Sequence, residues 1–349
     1  MTHSDVPIGF LDGDAEENNV LAFLRHHAGC ASERIALSWV PKGAMTGWDG
    51  ETDLIHATIG YGELFLRTGR AAAGLKRLGI GRGDRVIVFL PMSPELYIAM
   101  FAVQRIGAVA VFLDSWARRD HLGATASAVA PRAMISFEGA FTLCAAVPEL
   151  TTIPVTIVAG PHEREYGGVL EEFLAASDEA PIEPVGAATP ALITFTTGSS
   201  GTPKGAVRSH GFLAAQHRAL DGCIPYGPDD RDLPVFPIFS LNNLAAGVPT
   251  ILPAIDLAAP SEQDGAIIAA QIRATHTTCC TLSPSLFARL AEECASRGKS
   301  LATLRRAVTG GAPVSRDTIG RFREIAPRAE IMVLYGSTEV EPIAHIEAA

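Results

Sequence analysis

The sequence lacks the features that mark several common classes of protein. None of its six cysteines forms a C-x-x-C motif, so we expect neither a zinc site nor a disulfide framework. It has no long run of lysine or arginine and carries a net charge of −10, which argues against a general nucleic-acid binder. A nucleotide substrate remains compatible with this charge, because local groups rather than net charge would hold it.

The sequence also shows no stretch typical of a membrane span or of a signal peptide. The most apolar long stretch, Ala245 to Ala259, is too short to cross a bilayer and contains two prolines. The first residues are polar and acidic, without the basic and then apolar segments of a signal peptide. Together with the cysteine usage, these absences predict a soluble, cytoplasmic protein.

Charged residues make up only 19% of the chain and aromatic residues 7%, whereas apolar residues make up 48%. This balance excludes an intrinsically disordered chain. At ~150 residues per domain, the 349 residues predict about two domains or subdomains.

Short apolar runs alternate with helical patterns along most of the chain. The runs Arg85 to Leu90 (RVIVFL) and Ala108 to Leu113 (AVAVFL) are typical of buried parallel strands. Between them, Ser93-Pro94 has the form of a helix start, and Ser283-Pro284 repeats it later. We therefore predict an α/β protein with largely parallel sheets.

Proline and glycine gather between residues 160 and 190, which we interpret as the joint between two stacked α/β subdomains. The predicted division is an irregular lead-in over residues 1–60, a first subdomain over 61–185 and a second over 190–349.

One segment carries a clear chemical pattern: Phe195 to Gly205, with the sequence FTTGSSGTPKG. Its glycines allow backbone N–H groups to face an anion, its hydroxyls add donors, and Lys204 adds a positive charge. It does not have Walker A spacing, because Pro203 and Gly205 stand where glycine and serine or threonine would be required. The pattern favours a polyphosphate site over its alternative, a flexible linker.

The same segment resembles the phosphate-binding signature of the acyl-adenylate-forming superfamily. That superfamily includes acyl-CoA synthetases, luciferases and the adenylation domains of peptide synthetases. Four further blocks are similar to the family's in the same order: Gly60 to Leu64 with Gly81 to Val86, Arg105 to Asp114, Gly310 to Pro313, and Leu334 to Glu339. The resemblance implies the fold of the large N-terminal domain of these ligases.

The resemblance also implies roles for individual residues. Those that would hold the β- and γ-phosphates of ATP are Thr196, Thr197, Gly198, Ser199, Ser200, Gly201, Thr202 and Lys204. Those that would bind adenine or AMP are Gly311, Ala312, Pro313, Tyr335, Gly336 and Ser337. Thr338 would donate a hydrogen bond to the α-phosphate, and Glu339 would bind Mg²⁺, so that Thr338, Glu339 and Lys204 form the implied catalytic set.

The implied reaction joins a small-molecule carboxylate to ATP. The carboxylate attacks the α-phosphorus, giving an acyl-AMP and pyrophosphate, and the acyl group then passes to a nucleophile, usually the thiol of CoA. The chain is thus predicted to be an acid–thiol ligase that uses ATP, Mg²⁺ and CoA. Such chemistry depends mainly on positioning and on charge neutralisation.

The substrate prediction comes from Pro234 to Asn243, where amino-acid-activating relatives carry an aspartate. This segment has no acid, and an unpaired buried ammonium is strongly unfavourable, so an α-amino acid is disfavoured. We predict an apolar acyl pocket lined by Phe236, Phe239 and Gly310. Such a pocket favours a fatty carboxylate as the substrate. For each phenylalanine alone, ordinary core packing is an equal alternative.

Three other functions stay open. The Gly310 to Pro313 and Tyr335 to Pro342 stretches also resemble the olefin-pathway β-lactone synthetases, which act on a long β-hydroxy acid. A non-catalytic chain that binds ATP or an acyl-adenylate is the second alternative. An ordinary α/β NTPase or dehydrogenase is the third, and the missing Walker A and G-x-G-x-x-G motifs weaken it.

The sequence ends ten residues after Glu339. Relatives continue there with an acid that holds the ribose of ATP, a hinge and a small domain that supplies a lysine. We therefore expect a fragment, natural or not, that adenylates weakly or not at all by itself. The acyl chain length, the acceptor nucleophile and the oligomeric state, including a homodimer, are not fixed by the sequence.

Some conspicuous residues have a plain structural interpretation. His210 is expected to be a structural histidine, and the adjacent Cys279 and Cys280 are expected to behave as small apolar residues. Tyr335 has packing in the core as an alternative to its implied role.

Overall fold

The computed structural model describes residues 18–113, 119–196, 204–337 and 340–348. Their contacts divide the chain into two units, which we name by their sheets. The seven-stranded unit contains the described parts of residues 6–30 and 62–215, and the eight-stranded unit contains those of 31–61 and 216–349. Both strand counts refer to the described residues.

The helices are α1 Leu21–Cys30, α2 Tyr61–Arg77, α3 Pro94–Arg105, α4 Arg119–Val129, α5 Glu138–Cys144, α6 Pro148–Thr151, α7 Leu170–Ala175, α8 His210–Cys223, α9 Pro237–Ala246, α10 Asp264–Ala274, α11 Pro284–Ser296 and α12 Arg316–Ile325. The strands are β1 Ile35–Trp39, β2 Ala57–Gly60, β3 Arg85–Phe89, β4 Val109–Phe112, β5 Ala133–Ser136, β6 Val155–Val158, β7 Gly168–Val169, β8 Pro190–Thr196, β9 Lys204–Ser209, β10 Asp232–Pro234, β11 Thr250–Ile251, β12 Cys279–Leu282, β13 Arg306–Gly310, β14 Glu330–Ser337 and β15 Val340–Glu347.

In the seven-stranded unit the strands follow the order β7-β6-β5-β3-β4-β8-β9. All neighbours are parallel except β8 and β9, which pair antiparallel at one edge. The central strands are buried on both faces, which explains why β3 reads as a continuous apolar run. A cluster that includes Ile87, Val111 and Ile193 forms the core under α4 and α6.

In the eight-stranded unit the strands follow the order β15-β14-β13-β12-β10-β11-β1-β2. The six inner strands are parallel to one another, and the edge strands β15 and β2 each pair antiparallel with the inner strand beside them. Neighbouring residues of β12 contact different clusters, Cys279 on one face of the sheet and Cys280 on the other. The sheet is therefore covered on both faces, and the predicted α/β class with largely parallel sheets is confirmed.

Both predicted Ser-Pro helix starts are present. α3 begins at Pro94 directly after Ser93, and α11 begins at Pro284 directly after Ser283. Only Ser283 completes the cap, since its hydroxyl accepts a hydrogen bond from the Leu286 N–H at 3.3 Å. Among the described helices, none has the length and apolar character needed to cross a bilayer.

The observed division differs from the predicted subdomain boundaries at two places. Residues 35–39 and 57–60, predicted to be irregular, form β1 and β2 of the eight-stranded sheet. Residues 190–196 and 204–209, assigned by the sequence to the second subdomain, form β8 and β9 of the seven-stranded sheet. Both differences arise from pairing between segments far apart in sequence, which a local pattern does not report.

A substitution at Gly74 of α2 tests how tightly α2 packs against α7 in the seven-stranded unit. A Cβ at this position would lie 2.2 Å from Cγ of Phe173 in α7, so Gly74→Ala should destabilise the fold by about 1–3 kcal/mol. Urea unfolding measures the change. Gly320→Ala is the matched control: it also lies inside a helix, but nothing is within 4 Å of its added Cβ, so it should stabilise by up to about 1 kcal/mol. Equal effects of the two substitutions would contradict this packing.

Candidate functional site

The carboxyl ends of parallel strands bring most of the predicted site residues of the eight-stranded unit to one edge of its sheet. β13 ends at Gly310, β14 extends to Ser337, and Phe236 follows two residues after β10. Because β10, β12, β13 and β14 are successive parallel neighbours, these ends lie along the same edge. In open α/β sheets this edge is where ligands bind.

Two glycines shape this edge at the end of β13. Gly310 pairs with Leu334, and a Cβ on Gly310 would lie 2.3 Å from the Leu334 carbonyl oxygen, so no larger residue fits. Gly311 has φ of +81°, and its Cβ position is 3.6 Å from Cζ of Phe236. The turn continues through Ala312 and Pro313, both exposed, as the sequence predicts for a strand-to-helix turn.

The two phenylalanines of the predicted acyl pocket lie together. The ring centroids of Phe236 and Phe239 are 6.1 Å apart. Phe239 is buried in a cluster with Val308 and Leu334, and Phe236 packs on the same cluster. The structure thus joins Phe236 and Phe239 to the Gly310–Gly311 end of β13, and the role of this group in acyl binding stays a prediction.

Tyr335 does not belong to the core, because its side chain is 66% exposed. It lies in β14 opposite Ala344 of β15, one residue after the buried Leu334. Gly336 is closely approached by Cγ of Glu341, 2.6 Å from the Cβ position. The exposed ring has the accessibility that stacking on a base requires, and core packing of Tyr335 is contradicted.

The rest of the Leu334 to Glu339 motif lies where β14 and β15 pair antiparallel. Ser337 pairs with Val340, and its hydroxyl accepts a hydrogen bond from the Val340 N–H at 3.3 Å. Thr338 and Glu339, predicted to bind the α-phosphate and Mg²⁺, lie outside the described residues.

The predicted phosphate segment joins two strands of the seven-stranded unit. Thr196 at the end of β8 pairs with the exposed Lys204 at the start of β9. The residues between them lie outside the described part of the chain, and among them are the predicted Thr197, Gly198, Ser199, Ser200, Gly201 and Thr202. The segment is therefore a connection within an antiparallel pair, and a strand, which the sequence analysis missed, precedes the following helix.

Packing across this pair explains part of its sequence. A Cβ on Gly205 would lie 3.1 Å from the Phe195 ring on the facing strand. Nη1 of the buried Arg208 donates a hydrogen bond to the Thr194 hydroxyl at 3.1 Å. These contacts fix the strand on each side of the segment, so that Lys204 has a defined backbone position.

His210 and the paired cysteines have the structural character expected of them. His210 is fully buried, and its Nδ1 accepts a hydrogen bond from the Val20 N–H at 3.1 Å. Burial lowers the pKa of His210 to about 4, so the ring is neutral at pH 7. Burial raises the pKa of the Cys279 and Cys280 thiols, which keeps both protonated and unreactive.

One group of described residues has a geometry suited to a metal ion, and the sequence analysis did not single it out. His26, His27 and Cys30 of α1 place one ligand atom each within 4.8 Å of one another. Nitrogen and sulfur ligands favour softer metals such as Zn²⁺ over Mg²⁺. This group therefore does not replace Glu339 as the predicted magnesium ligand.

Asp232 is a second residue that the sequence analysis missed. It is fully buried at the start of β10, and its Oδ2 accepts hydrogen bonds from the Tyr226 hydroxyl at 2.9 Å and from Nδ2 of Asn243 at 2.8 Å. Burial raises the pKa of Asp232 to about 6. An acid followed directly by the apolar run Leu233 to Phe236 is the signal that identifies it.

Asp232 predicts how stability depends on pH. Its folded-state pKa of about 6 lies above the ordinary value of 3.8, so the folded state keeps a proton that the unfolded state releases. Stability therefore falls as the pH rises from about 4 to about 6, by about 3 kcal/mol for this group. Urea unfolding of Asp232→Asn at several pH values should lack this decrease. A constant difference between the two proteins across the range would contradict the assignment.

Comparison with known proteins identifies the family of the chain. The family model described as AMP-binding enzyme matches residues 25–349. The chain is 33% identical over 297 residues to an olefin beta-lactone synthetase of Stenotrophomonas maltophilia, covering 83% of this chain and 52% of that protein. It is 28% identical over 333 residues to a long-chain-fatty-acid–CoA ligase of Thermus thermophilus, covering 94% of this chain and 59% of that protein.

A solved structure of VinN with L-aspartate has the same fold, with a TM-score of 0.77 at 19% identity, and the match covers 96% of this chain and 79% of VinN. The chain spans about half the length of the curated relatives it matches. The family model nevertheless covers nearly all of the chain. The chain therefore belongs to the AMP-binding family of adenylate-forming enzymes.

Proposed function

We propose that this chain binds ATP and a hydrophobic carboxylic acid for the formation of an acyl-adenylate. The observation that carries the proposal is the arrangement at the carboxyl edge of the eight-stranded sheet. There, the Phe236–Phe239 pair lies beside the Gly310–Gly311 turn, and β14 presents the exposed Tyr335 next to the buried Leu334. An apolar group beside the end of β13 and an exposed aromatic ring on the neighbouring β14 suit an acyl chain and an adenine base.

In this reaction a carboxylate oxygen forms a bond to the α-phosphorus while the bond from that phosphorus to the pyrophosphate oxygen breaks. The products are acyl-AMP and pyrophosphate. Gly310 allows the ends of β13 and β14 to approach closely, which brings the Gly311 turn beside the strand that carries Tyr335. The role that the family resemblance implies for Lys204 is to offer a positive charge to phosphate oxygens. Mg²⁺, assigned to Glu339, would neutralise phosphate charge when bound.

The proposed acceptor of the acyl group is CoA, which makes the protein acyl-CoA synthetase-like. This fits the name of the Thermus thermophilus relative, a long-chain-fatty-acid–CoA ligase. A second candidate is closure onto a hydroxyl of the substrate itself, as a β-lactone synthetase acting on a long β-hydroxy acid. The 33% identity to the olefin beta-lactone synthetase supports that candidate.

Binding of stable acyl-adenylate mimics tests the proposal without requiring turnover. In calorimetric titration, the chain should bind decanoyl-sulfamoyl adenosine and show no response to an aminoacyl-sulfamoyl adenosine. Tyr335→Ala should weaken binding at least about fivefold, because stacking on a base contributes about 1–3 kcal/mol. Release of pyrophosphate from ATP and decanoate separates a catalytic chain from one that only binds.

Phe137→Ala is the matched control for Tyr335→Ala, since Phe137 is also an exposed aromatic side chain, at 37%, and has no predicted role. It should leave the affinity unchanged. If the folded chain binds neither mimic, or if both substitutions weaken binding equally, the proposed function is wrong.

A further inference from the structure

Three side chains in the second half of α1 bring atoms that can bind a metal close together. His26, His27 and Cys30 each contribute one ligand atom, and these three atoms lie within 4.8 Å of one another. The ring centroids of His26 and His27 are 5.1 Å apart. Within the described part of the chain, no other group of three or more histidine, cysteine or acidic side chains reaches this proximity.

Helical spacing explains why these three side chains meet. Cys30 is four residues after His26 and three after His27, and side chains at both spacings are neighbours on a helix surface. The two histidines follow one another, so their positions differ by about 100° around the helix axis, and the position of Cys30 falls between them. The thiol is therefore flanked by both imidazoles.

The separation of the three ligand atoms is close to what a tetrahedral zinc ion requires. Bond lengths of about 2.0–2.1 Å for Zn–N and about 2.3 Å for Zn–S place neighbouring ligand atoms about 3.3–3.6 Å apart. The upper limit of 4.8 Å exceeds this range by at most about 1.5 Å. Rotation of the half-buried His26 and the exposed Cys30 between staggered rotamers can close this difference.

The group is open to solvent on one side and anchored to the fold on the other. Of the six cysteines, Cys30 alone is exposed, whereas His27 is buried. An ion can therefore reach the thiol from solution. A histidine that binds a metal through one ring nitrogen keeps the other nitrogen for hydrogen bonding, so burial of His27 is compatible with ligation. The carboxyl end of α1 adds the negative end of the helix dipole, which favours a cation.

The ligand types indicate the class of metal. Imidazole nitrogen and thiolate sulfur suit Zn²⁺, whereas Mg²⁺ and Ca²⁺ prefer oxygen ligands. Three protein ligands leave the fourth tetrahedral position to a water molecule. The expectation of no zinc site rested on the absence of C-x-x-C, and a His-His-x-x-Cys set with a single cysteine lies outside that pattern.

We propose that His26, His27 and Cys30 form a Zn²⁺ site at the carboxyl end of α1, with water as the fourth ligand. Each imidazole binds through one ring nitrogen, and the thiol binds as a thiolate after releasing its proton to solvent. The bound ion ties the last turn of α1 together. The site belongs to the seven-stranded unit and uses none of the residues assigned to ATP or the acid, so this inference is independent of the proposed function.

Cobalt(II) absorption tests the proposal, because a thiolate ligand gives Co²⁺ a charge-transfer band in the near ultraviolet. The reduced chain, without an affinity tag, should develop this band with one Co²⁺ per chain. Zn²⁺ should remove the band by displacing Co²⁺, whereas an excess of Mg²⁺ should not. Cys30→Ser should abolish the band, and His26→Ala should weaken Co²⁺ binding about tenfold or more.

Three control variants should keep the band and the affinity of the unaltered chain. Cys223→Ser removes another partly accessible thiol, His162→Ala removes an exposed histidine outside the group, and Gly29→Ala alters the same turn of α1 where nothing lies within 4 Å of the added Cβ.

The proposal is wrong if the folded chain gives no band, or if the band survives Cys30→Ser. It is also wrong if His26→Ala leaves Co²⁺ binding unchanged, since the thiol then binds the ion without the imidazoles. Each of these results would leave the proposed function intact, because acyl-adenylate binding is measured separately.

Discussion

The candidate site depends on one close approach between two strands. At the end of β13, the Cβ position of Gly310 is 2.3 Å from the Leu334 carbonyl oxygen, so only glycine allows β13 to remain paired with β14 as far as its last residue. That pairing determines where the following residues lie. It places the Gly311 turn against Phe236, buries Leu334 in the apolar cluster and leaves the next residue, Tyr335, exposed.

Local patterns in the sequence predicted the features that are themselves local. The apolar runs of β3 and β4 and the helix starts at Pro94 and Pro284 follow from burial and capping, which act over a few residues. The pairing of β1 with β11 and of β4 with β8 could not be predicted in this way. β1 is short, and its partner lies about two hundred residues further along the chain, so the unit to which it belongs is decided by tertiary contacts.

The candidate site shows the same difference between local motifs and tertiary context. The glycine turn and the Tyr335 block were identified from short motifs, because backbone conformation and ligand chemistry constrain consecutive residues. Asp232 was missed, since an isolated polar residue next to an apolar segment has no meaning until its neighbours are known. Its significance lies in its burial and in the hydrogen bonds that Oδ2 accepts from Tyr226 and Asn243.

The central claim is that the carboxyl edge of the eight-stranded sheet holds an acyl-adenylate. Hydrogen–deuterium exchange, followed by mass spectrometry with and without decanoyl-sulfamoyl adenosine, tests it most directly. The account predicts slower exchange at the ends of β13 and β14, in peptides containing Gly310, Gly311 and Tyr335, with no change at the remote edge strand β2. Binding that protects β2 and leaves the ends of β13 and β14 unchanged would contradict the account.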